Sequence, residues 1–371
     1  MRMIANAALA LTSTLTPIND FHADYVRDSE WHLKYLDIET AHAITKGNDV
    51  TIGLVDTGVF PHRDIVNNLL NGADLTTTNG TQGKKDRDGH GTEMAGLIVG
   101  HGHNYTEGIL GIAPSAHLLP IKSYEVARPD SNLAGGIKAA VTHGSMVINV
   151  SAGTSPSIAL RAAVSTAAQF DAVIVAASGN DQTAAGFGYP AALPGVLAVG
   201  AINRSGKHAS FSITGPNMDL CAPGAEISTT GLNNTYRKAQ GTSAATAIVS
   251  GAAALVRAKF PELSAPEVIH RLTATATDIG PPGRDEQCGY GVLNIVKALT
   301  ADVPPLVGAS DSGPTVGSPS PGATAEGPPA GSGTGDSESR KVAVLGGIAT
   351  VSAASVLVAF LSARRRRRKQ P

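Results

Sequence analysis

Aromatic side chains are scarce in this sequence. Phe, Trp and Tyr together make up 4% of the 371 residues, although 42% of the residues are hydrophobic. A hydrophobic core in this chain must therefore be packed mainly from small aliphatic side chains that lie close together. No internal repeat is visible, so nothing in the sequence indicates a repeat architecture.

The main part of the chain also has no net positive charge. The formal net charge is −1, and this value includes the six basic residues from Arg364 to Lys369, so residues 1 to 363 carry −7. An acidic body with a short basic end argues against binding of nucleic acid by the main domain.

No convincing set of metal ligands is present. His101 and His103 form a His-x-His pair, but such a pair in a glycine-rich loop is usually solvated, and no other ligand set suits zinc or calcium. We therefore expect neither a metal nor a cofactor.

Cysteine occurs only twice, at Cys221 and Cys288. In an exported protein an even number of cysteines favours disulfide formation, here across a long loop. The sequence does not say whether the two Cα atoms lie close enough for a bond. The sequence therefore allows either a disulfide between Cys221 and Cys288 or two free thiols.

The stretch around Ser243 is the strongest feature that the sequence does contain. Gln240-Gly241-Thr242-Ser243 leads into a run of small apolar residues up to Val256, a pattern that predicts a tight turn followed by a buried helix. Ser243 would lie at the helix N-terminus, where free N–H groups and the helix dipole favour negative charge. A serine there is suited to attack a carbonyl, but Thr242 or Ser243 could also be a simple N-cap.

Two further stretches favour the catalytic interpretation. Asp56 ends the apolar run that begins at Thr51, so it lies at the carboxyl end of a predicted buried strand, where the ligands of open α/β sheets gather. His90 lies in Asp88-Gly89-His90-Gly91-Thr92, at the start of another small-residue helix. Taken singly, Asp56 could be a turn residue and His90 an ordinary loop histidine.

The chain order Asp, His, Ser, with each residue in a glycine-containing motif, resembles the subtilisin family of serine proteases, peptidase family S8. The resemblance covers roughly residues 27 to 300. It implies that Ser243 is the nucleophile and that His90 is the general base and then the general acid. Asp56 would orient and stabilise the imidazolium.

Two loops acquire a role from the same resemblance. Ser151-Ala152-Gly153 follows an apolar strand and matches the family segment that pairs with the substrate backbone and walls the main specificity pocket. The alternative is a plain turn, and Ala152 replaces a usually larger residue. Asn180 matches the asparagine that donates to the oxyanion beside the N–H of Ser243, although Asn is also a common left-handed turn residue.

The sequence departs from the family pattern next to two of the three catalytic positions. Glu93 and Met94 replace the usual His and Val, and Ala244 and Ala247 stand where the family normally has Met and Pro. Without the proline, we expect a slightly shifted helix start. Catalysis is sensitive to small displacements of a nucleophile, so the rate is expected to be affected.

The middle of the chain alternates strand and helix patterns. Strands are predicted at 116–121, 146–150, 172–177 and 196–202, and helices at 133–143 and 158–170. Such alternation indicates βαβ units and a mainly parallel sheet. The predicted fold is α/β, the subtilisin-like three-layer fold, in a peptidase domain that spans residues 21–300.

The N-terminal residues indicate export. Residues 1–20 combine an early Arg, a short apolar run and small residues, as in a secretory signal peptide. The following segment from Arg27 to Leu33 is either an amphipathic stretch anchored by Trp31 or, by resemblance, the Arg-Asp-x-x-Trp-His-Leu segment of mycosins. Mycosins are the subtilases associated with actinobacterial type VII secretion. No room for a full pro-domain precedes Trp31, which also fits mycosins.

The C-terminal residues predict a membrane anchor. Residues 301–341 are rich in Pro, Gly, Ser and Thr, as in a disordered linker. Residues 342–363 form an uncharged, mostly apolar run that is long enough for one transmembrane helix, and the basic tail 364–371 follows at once. The positive-inside rule predicts a cytoplasmic tail and an extracytoplasmic peptidase domain at the cell membrane. A packed C-terminal helix is the alternative, but the run has no polar face.

These features predict a membrane-anchored serine endopeptidase that hydrolyses peptide bonds of a protein or peptide substrate through an acyl-enzyme on Ser243. The mycosin resemblance implies a type VII secretion membrane complex as a partner. The alternative is a scaffold of that complex that requires little or no proteolysis. A general scavenging protease would favour a pro-domain and no anchor, the opposite of this chain.

Overall fold

Strands and helices alternate in this computed structural model, which describes residues 25–77, 80–103, 107–125, 132–180 and 187–306. The strands are β1 (Thr51–Asp56), β2 (Ala73–Asp74), β3 (His101–His103), β4 (Glu107–Leu110), β5 (His117–Lys122), β6 (Val147–Val150), β7 (Val173–Ala177), β8 (Val196–Ile202), β9 (Leu220–Pro223), β10 (Ile227–Thr230) and β11 (Tyr236–Ala239). The helices are α1 (Tyr25–Asp28), α2 (Trp31–Tyr35), α3 (Ile38–Ile44), α4 (His90–Val99), α5 (Leu133–Thr142), α6 (Ile158–Gln169), α7 (Thr242–Lys259), α8 (Ala265–Ala274) and α9 (Ile295–Thr300).

A parallel sheet of seven strands lies at the centre, in the order β2-β5-β1-β6-β7-β8-β9. Strands β6, β7 and β8 are buried along their whole length, as expected when helices cover both faces of a parallel sheet. The predicted α/β fold with a mainly parallel sheet is therefore confirmed. Two hairpins, β3–β4 and β10–β11, add antiparallel pairs outside the sheet.

Helices cover the two faces of this sheet and give three layers. Successive side chains of a strand point to opposite faces. On β7, Val173 and Val175 join the core under α4 and α7, whereas Ile174 and Ala176 join the core under α5 and α6.

Small side chains let α7 lie deep in the protein. From Thr242 to Arg257 nearly every residue of this helix is buried, and most of them are Ala, Gly, Ser, Thr or Val. A Cβ atom at Gly251 would lie 2.6 Å from the Cβ of Ile112, so only glycine allows this approach. The close packing of small aliphatic residues that the composition predicts is present here.

The N-terminal segment is attached to the outside of this core. The indole Nε1 of Trp31 donates to the carbonyl of Ala225 at 3.2 Å, and the Arg27 side chain donates to the carbonyl of Gly108 at 2.9 Å. His32 is fully buried beside Trp31. The predicted anchoring of this segment by Trp31 is therefore seen in the structure.

Cys221 and Cys288 form a disulfide, and their Cα atoms lie 5.0 Å apart. The bond joins β9 to the loop that precedes α9. Of the two alternatives that the sequence allows, a disulfide or two free thiols, the structure contains the disulfide.

Several predicted segments lie outside the described residues: the signal peptide 1–20, the anchor 342–363, the basic tail 364–371 and all of the linker 301–341 beyond residue 306. In the part of the chain that the structure does describe, no helix has both the length and the apolar character needed to cross a membrane.

Candidate active site

One edge of the sheet collects the residues that the sequence singles out. Asp56 is the last residue of β1, Ser151 follows the last residue of β6, and Asn180 lies three residues beyond β7. These three strands are neighbours in the sheet. Because parallel strands end at the same edge, their C-terminal residues lie together.

Asp56 and His90 are joined directly. Asp56 Oδ1 accepts a hydrogen bond from His90 Nδ1 at 2.7 Å and another from the backbone N–H of Thr57 at 2.7 Å. Asp56 is fully buried, whereas 29% of the His90 side chain is exposed. The pairing of Nδ1 with a carboxylate leaves Nε2 as the nitrogen available for proton transfer, and part of the ring stays accessible to a substrate.

A glycine makes this pairing possible. A Cβ atom at Gly91 would lie 2.0 Å from the carbonyl oxygen of Gly58 and 3.2 Å from the Cβ of Asp56. The first turn of α4 can therefore approach the loop after β1 only with glycine at this position. The glycine after His90 brings the two halves of the pair into contact.

Asp86 is a structural residue of the site that sequence reasoning missed. Its buried carboxylate accepts hydrogen bonds from the backbone N–H groups of Asp88, Gly89 and Thr92 and from the hydroxyls of Thr57 and Thr92, at 2.7–3.0 Å. It thus holds the loop before His90 against the loop after Asp56. The available signal was an Asp that begins a short glycine-containing turn, where its side chain can accept backbone N–H groups two and three residues on.

Ser243 occupies the first turn of α7, as predicted. Its Oγ donates to the carbonyl of Ser151 at 3.1 Å, and among the described residues its hydroxyl makes no hydrogen bond to His90. The Ser151 hydroxyl in turn donates to the carbonyl of Ser243 at 3.1 Å. These two contacts connect the start of α7 to the end of β6.

The amide of Asn180 has a defined orientation. Its Oδ1 accepts from the backbone N–H of Thr242 at 2.8 Å and from the Thr242 hydroxyl at 3.0 Å. That backbone N–H is one of the free donors at the start of α7 and needs an acceptor. With the amide oxygen used in this way, Nδ2 is the group left to donate to a ligand. Gly241, at φ +140°, would carry a Cβ only 2.9 Å from this Nδ2, so glycine keeps the approach open.

The predicted substrate-binding loop pairs with a second loop. Thr154 and Tyr189 exchange backbone hydrogen bonds of 2.9 and 3.1 Å, next to a cis Tyr189–Pro190 peptide. A Cβ atom at Gly188 would lie 3.2 Å from the Cα of Gly153. Ser151 is buried, and Ala152 is half-buried.

Charges around His90 control its protonation. Burial lowers the pKa of the imidazole, but the Asp56 carboxylate outweighs burial through its charge and its hydrogen bond, and Glu93 and Asp86 add to it. The resulting pKa of His90 is raised to about 9. Burial also raises the pKa of Glu93, which lies one turn further along α4.

A carboxylate bound to one nitrogen of a half-exposed histidine, a serine at a helix N-terminus and an amide donor beside it form the kind of site used for acyl transfer. The subtilase family model matches residues 47–291, about two thirds of the chain. This chain belongs to the subtilase family.

Curated relatives of this subtilase include two bacterial subtilisins. Subtilisin DY of Bacillus licheniformis is 38% identical over 260 residues, which cover 68% of this chain and 92% of the relative. Subtilisin Savinase of Lederbergia lenta is 37% identical over 255 residues, 67% of this chain and 92% of the relative. The chain is accordingly a serine protease of this family.

Solved structures similar to this subtilase include proteases of secretion systems. MycP1 from Mycobacterium smegmatis has a TM-score of 0.65 and 30% identity, with 81% of this chain and 90% of that chain covered. The MycP3 protease from the type VII (ESX-3) secretion system has a TM-score of 0.65 and 32% identity, with 73% and 88% covered. The subtilase is therefore related to MycP proteases, as the segment around Trp31 predicts.

Proposed function

We propose that this subtilase hydrolyses peptide bonds with Ser243 as nucleophile, His90 as general base and then acid, and Asp56 as the group that stabilises the imidazolium. The hydrogen bond between Asp56 Oδ1 and His90 Nδ1 carries the proposal, because it leaves Nε2 to take a proton. The mechanism requires the Ser243 hydroxyl to leave the Ser151 carbonyl, to which it donates in the structure, and to donate to His90 instead. Catalytic hydrogen bonds often tighten only when the substrate is bound.

In this mechanism Ser243 Oγ attacks the scissile carbonyl carbon while its proton passes to His90 Nε2. The C–N bond of the tetrahedral intermediate breaks as His90 returns the proton to the leaving amine, which leaves an ester on Ser243. Water then attacks the ester, with His90 again taking and returning a proton, and releases the carboxylic acid. The backbone N–H of Ser243 and the Nδ2 group of Asn180 stabilise both oxyanions.

Fluorophosphonate labelling of the full-length protein tests the nucleophile. We expect labelling of the wild type that Ser243→Ala abolishes and that the exposed serine variant Ser205→Ala retains. An unlabelled wild type with an intact thermal unfolding transition would contradict the proposal, since the serine would then not be activated.

Two substitutions of Asn180 separate its proposed oxyanion contact from its role at the start of α7. Asn180→Asp keeps an oxygen to accept the Thr242 N–H but removes the Nδ2 donor, whereas Asn180→Ala removes both. We expect both variants to lose about 10²–10³-fold in kcat, a magnitude borrowed from the oxyanion asparagine of a subtilisin. If Asn180→Asp kept its activity while Asn180→Ala did not, Asn180 would only cap the helix.

We further propose that the protease domain lies outside the cell membrane, anchored through residues 342–363, with the basic tail in the cytoplasm. The support is the uncharged run followed by Arg364 to Lys369. Fractionation and external proteolysis of whole cells test this proposal. The full chain is expected in the membrane fraction with its peptidase domain cleavable from outside, and a chain ending at residue 303 is expected to be released.

The likeness to MycP3 supports a role in a type VII secretion system. Complementation of a deletion strain tests whether that role needs proteolysis. Wild-type protein should restore secretion, and Ser243→Ala should not. Full rescue by Ser243→Ala, with equal amounts of both proteins, would instead favour the scaffold that the sequence leaves as an alternative.

A further inference from the structure

Tyr124 lies beside the Asp56–His90 pair, in the segment that follows a different strand. It follows β5 by two residues, and β5 is the direct neighbour of β1 in the sheet. The register pairs Asp56 with Lys122. Tyr124 therefore emerges from the same sheet edge as Asp56, on the side away from Ser151.

The Tyr124 hydroxyl donates a hydrogen bond to Asp56 Oδ1 at 3.3 Å. This is the same oxygen that accepts the His90 Nδ1 proton at 2.7 Å, whereas the buried Oδ2 has no hydrogen-bond partner among the described residues. The hydroxyl and the imidazole thus compete for the charge on one oxygen. At 3.3 Å the hydroxyl contact is longer than a typical O–H···O bond, so its effect is modest.

Tyr124 is held in place by contacts on both sides. The backbone N–H of Ser123 donates to the carbonyl of Asp56 at 2.9 Å, and Lys122 Nζ donates to the carbonyl of Thr57 at 2.9 Å. Glu125 forms ion pairs with Lys122 at 3.3 Å and with Arg87 at 3.8 Å. These contacts tie the segment after β5 to both loops that carry the pair. The Tyr124 ring packs against the core under α5 and α6.

We propose that Tyr124 is a positioning residue of this protease, whose hydroxyl orients the Asp56 carboxylate and weakens its attraction for the His90 imidazolium. The inference rests on the proposed role of His90 as the base. The positive end of the hydroxyl dipole points at the oxygen that faces the imidazolium, so it disfavours a proton on His90. Tyr124 thereby keeps more of His90 in the neutral form that can accept a proton.

Other charged groups also act on the Asp56–His90 pair. Removal of the Tyr124 hydroxyl leaves these groups unchanged. Glu93 and Asp86 favour protonation of His90, and Asp86 and Asp88 also face Tyr124. Arg237 acts on Glu93. Burial and the Asp56 charge hold the pKa of the Tyr124 hydroxyl well above its ordinary value, so the hydroxyl stays a donor throughout the working range.

The kinetic test is Tyr124→Phe in the full-length protein, which keeps the ring and deletes the hydroxyl. We expect kcat to fall roughly threefold to tenfold with little change in KM. The midpoint of the pH profile of kcat/KM should move upwards by about 0.3 to 1 unit. The matched control is Tyr290→Phe, an exposed tyrosine beside the Cys288 that is bonded to β9, four strands from β1 in the sheet. It should change neither quantity. An unchanged kcat and pH profile in Tyr124→Phe would overturn the proposal.

A titration of His90 provides a readout that needs no activity. In the Ser243→Ala background, NMR of labelled histidine, assigned with a His90→Asn sample, gives the titration midpoint of His90 directly. Adding Tyr124→Phe should raise that midpoint, whereas an equal or lower midpoint would disprove the role of the hydroxyl. Absence of activity in the wild type would count against the proposed function alone, since the titration would still report on Tyr124. A thermal unfolding temperature close to that of wild type shows that the variant is folded.

Discussion

At the scale of single residues, the charge on His90 links the geometry of the site to its pH dependence. The imidazole must be neutral to accept the proton of Ser243, yet Asp56, helped by Glu93 and Asp86, raises its pKa to about 9 despite the opposing effect of burial. Below that pH the free enzyme carries mostly imidazolium. The pair is therefore arranged to stabilise the charged form that appears during catalysis, at the expense of the neutral base.

The first prediction concerns Glu93, which stands where the family usually has a histidine. We expect kcat/KM of the wild type to rise with pH up to about 9 as His90 loses its proton. Glu93→Gln removes a negative charge that favours the imidazolium, so the midpoint should fall by a few tenths to about one unit. The measurement is a pH profile with a substrate that does not titrate in this range.

Glu262→Gln is the matched control for this experiment, because Glu262 is exposed in the turn after α7, at the opposite end of that helix from Ser243. It should leave the midpoint unchanged. If Glu93→Gln moved the profile to higher pH, the electrostatic account of His90 would be wrong.

At the scale of elements, the N-terminal helix α2 carries a buried histidine with consequences for stability. Both ring nitrogens of His32 are buried without a hydrogen-bond partner among the described residues. Burial lowers the pKa of His32 to about 3. Between about pH 6.5 and 3 the unfolded chain therefore binds a proton at this residue that the folded protein does not bind, and folding weakens as the pH falls through this range.

The second prediction follows from that difference in proton binding. His32→Leu removes the titrating group. When the pH falls from 7.5 to 5, the unfolding free energy of the variant should therefore rise by about 2 kcal/mol relative to that of the wild type. Urea unfolding at the two pH values measures the change. His117→Leu is the control, since His117 is exposed in the fold, and it should show no such gain. Equal acid sensitivity of wild type and His32→Leu would mean that protonation of His32 costs nothing in the folded state.

At the scale of the whole molecule, the disulfide between Cys221 and Cys288 restrains a long part of the chain. The two residues are 67 apart in sequence and almost fully buried. Closing such a loop lowers the entropy of the unfolded chain, which stabilises the fold.

The third prediction is therefore a loss of about 4 kcal/mol of unfolding free energy in the double variant Cys221→Ala/Cys288→Ala. The site residues lie on other strands, so the folded variant should keep its fluorophosphonate labelling. Urea unfolding with and without a reductant measures the effect: reductant should destabilise the wild type and leave the double variant unchanged. A double variant as stable as the oxidised wild type would show that the bond contributes nothing.

Local patterns in the sequence were sufficient to predict the long buried strands and helices of the fold. The predicted strand at 172–177 is β7 and the predicted helix at 133–143 is α5, with ends that differ by one residue. Such segments are long, apolar and buried, so their pattern alone indicates their type. The β3–β4 and β10–β11 hairpins were not predicted, because strands of three or four residues carry little periodicity and are stabilised by their partners.

The sequence by itself determined which residues could perform the chemistry, because Asp56, His90, Ser243 and Asn180 each lie in a glycine-containing motif beside a strand or helix end. Only the tertiary structure decided what surrounds them. Asp86, Tyr124 and Glu93 act on the pair from three different segments, and Cys221 meets Cys288 across 67 residues. Charge and hydrogen bonding depend on distances of a few ångströms, and these distances arise when parallel strands bring remote residues to one edge of the sheet.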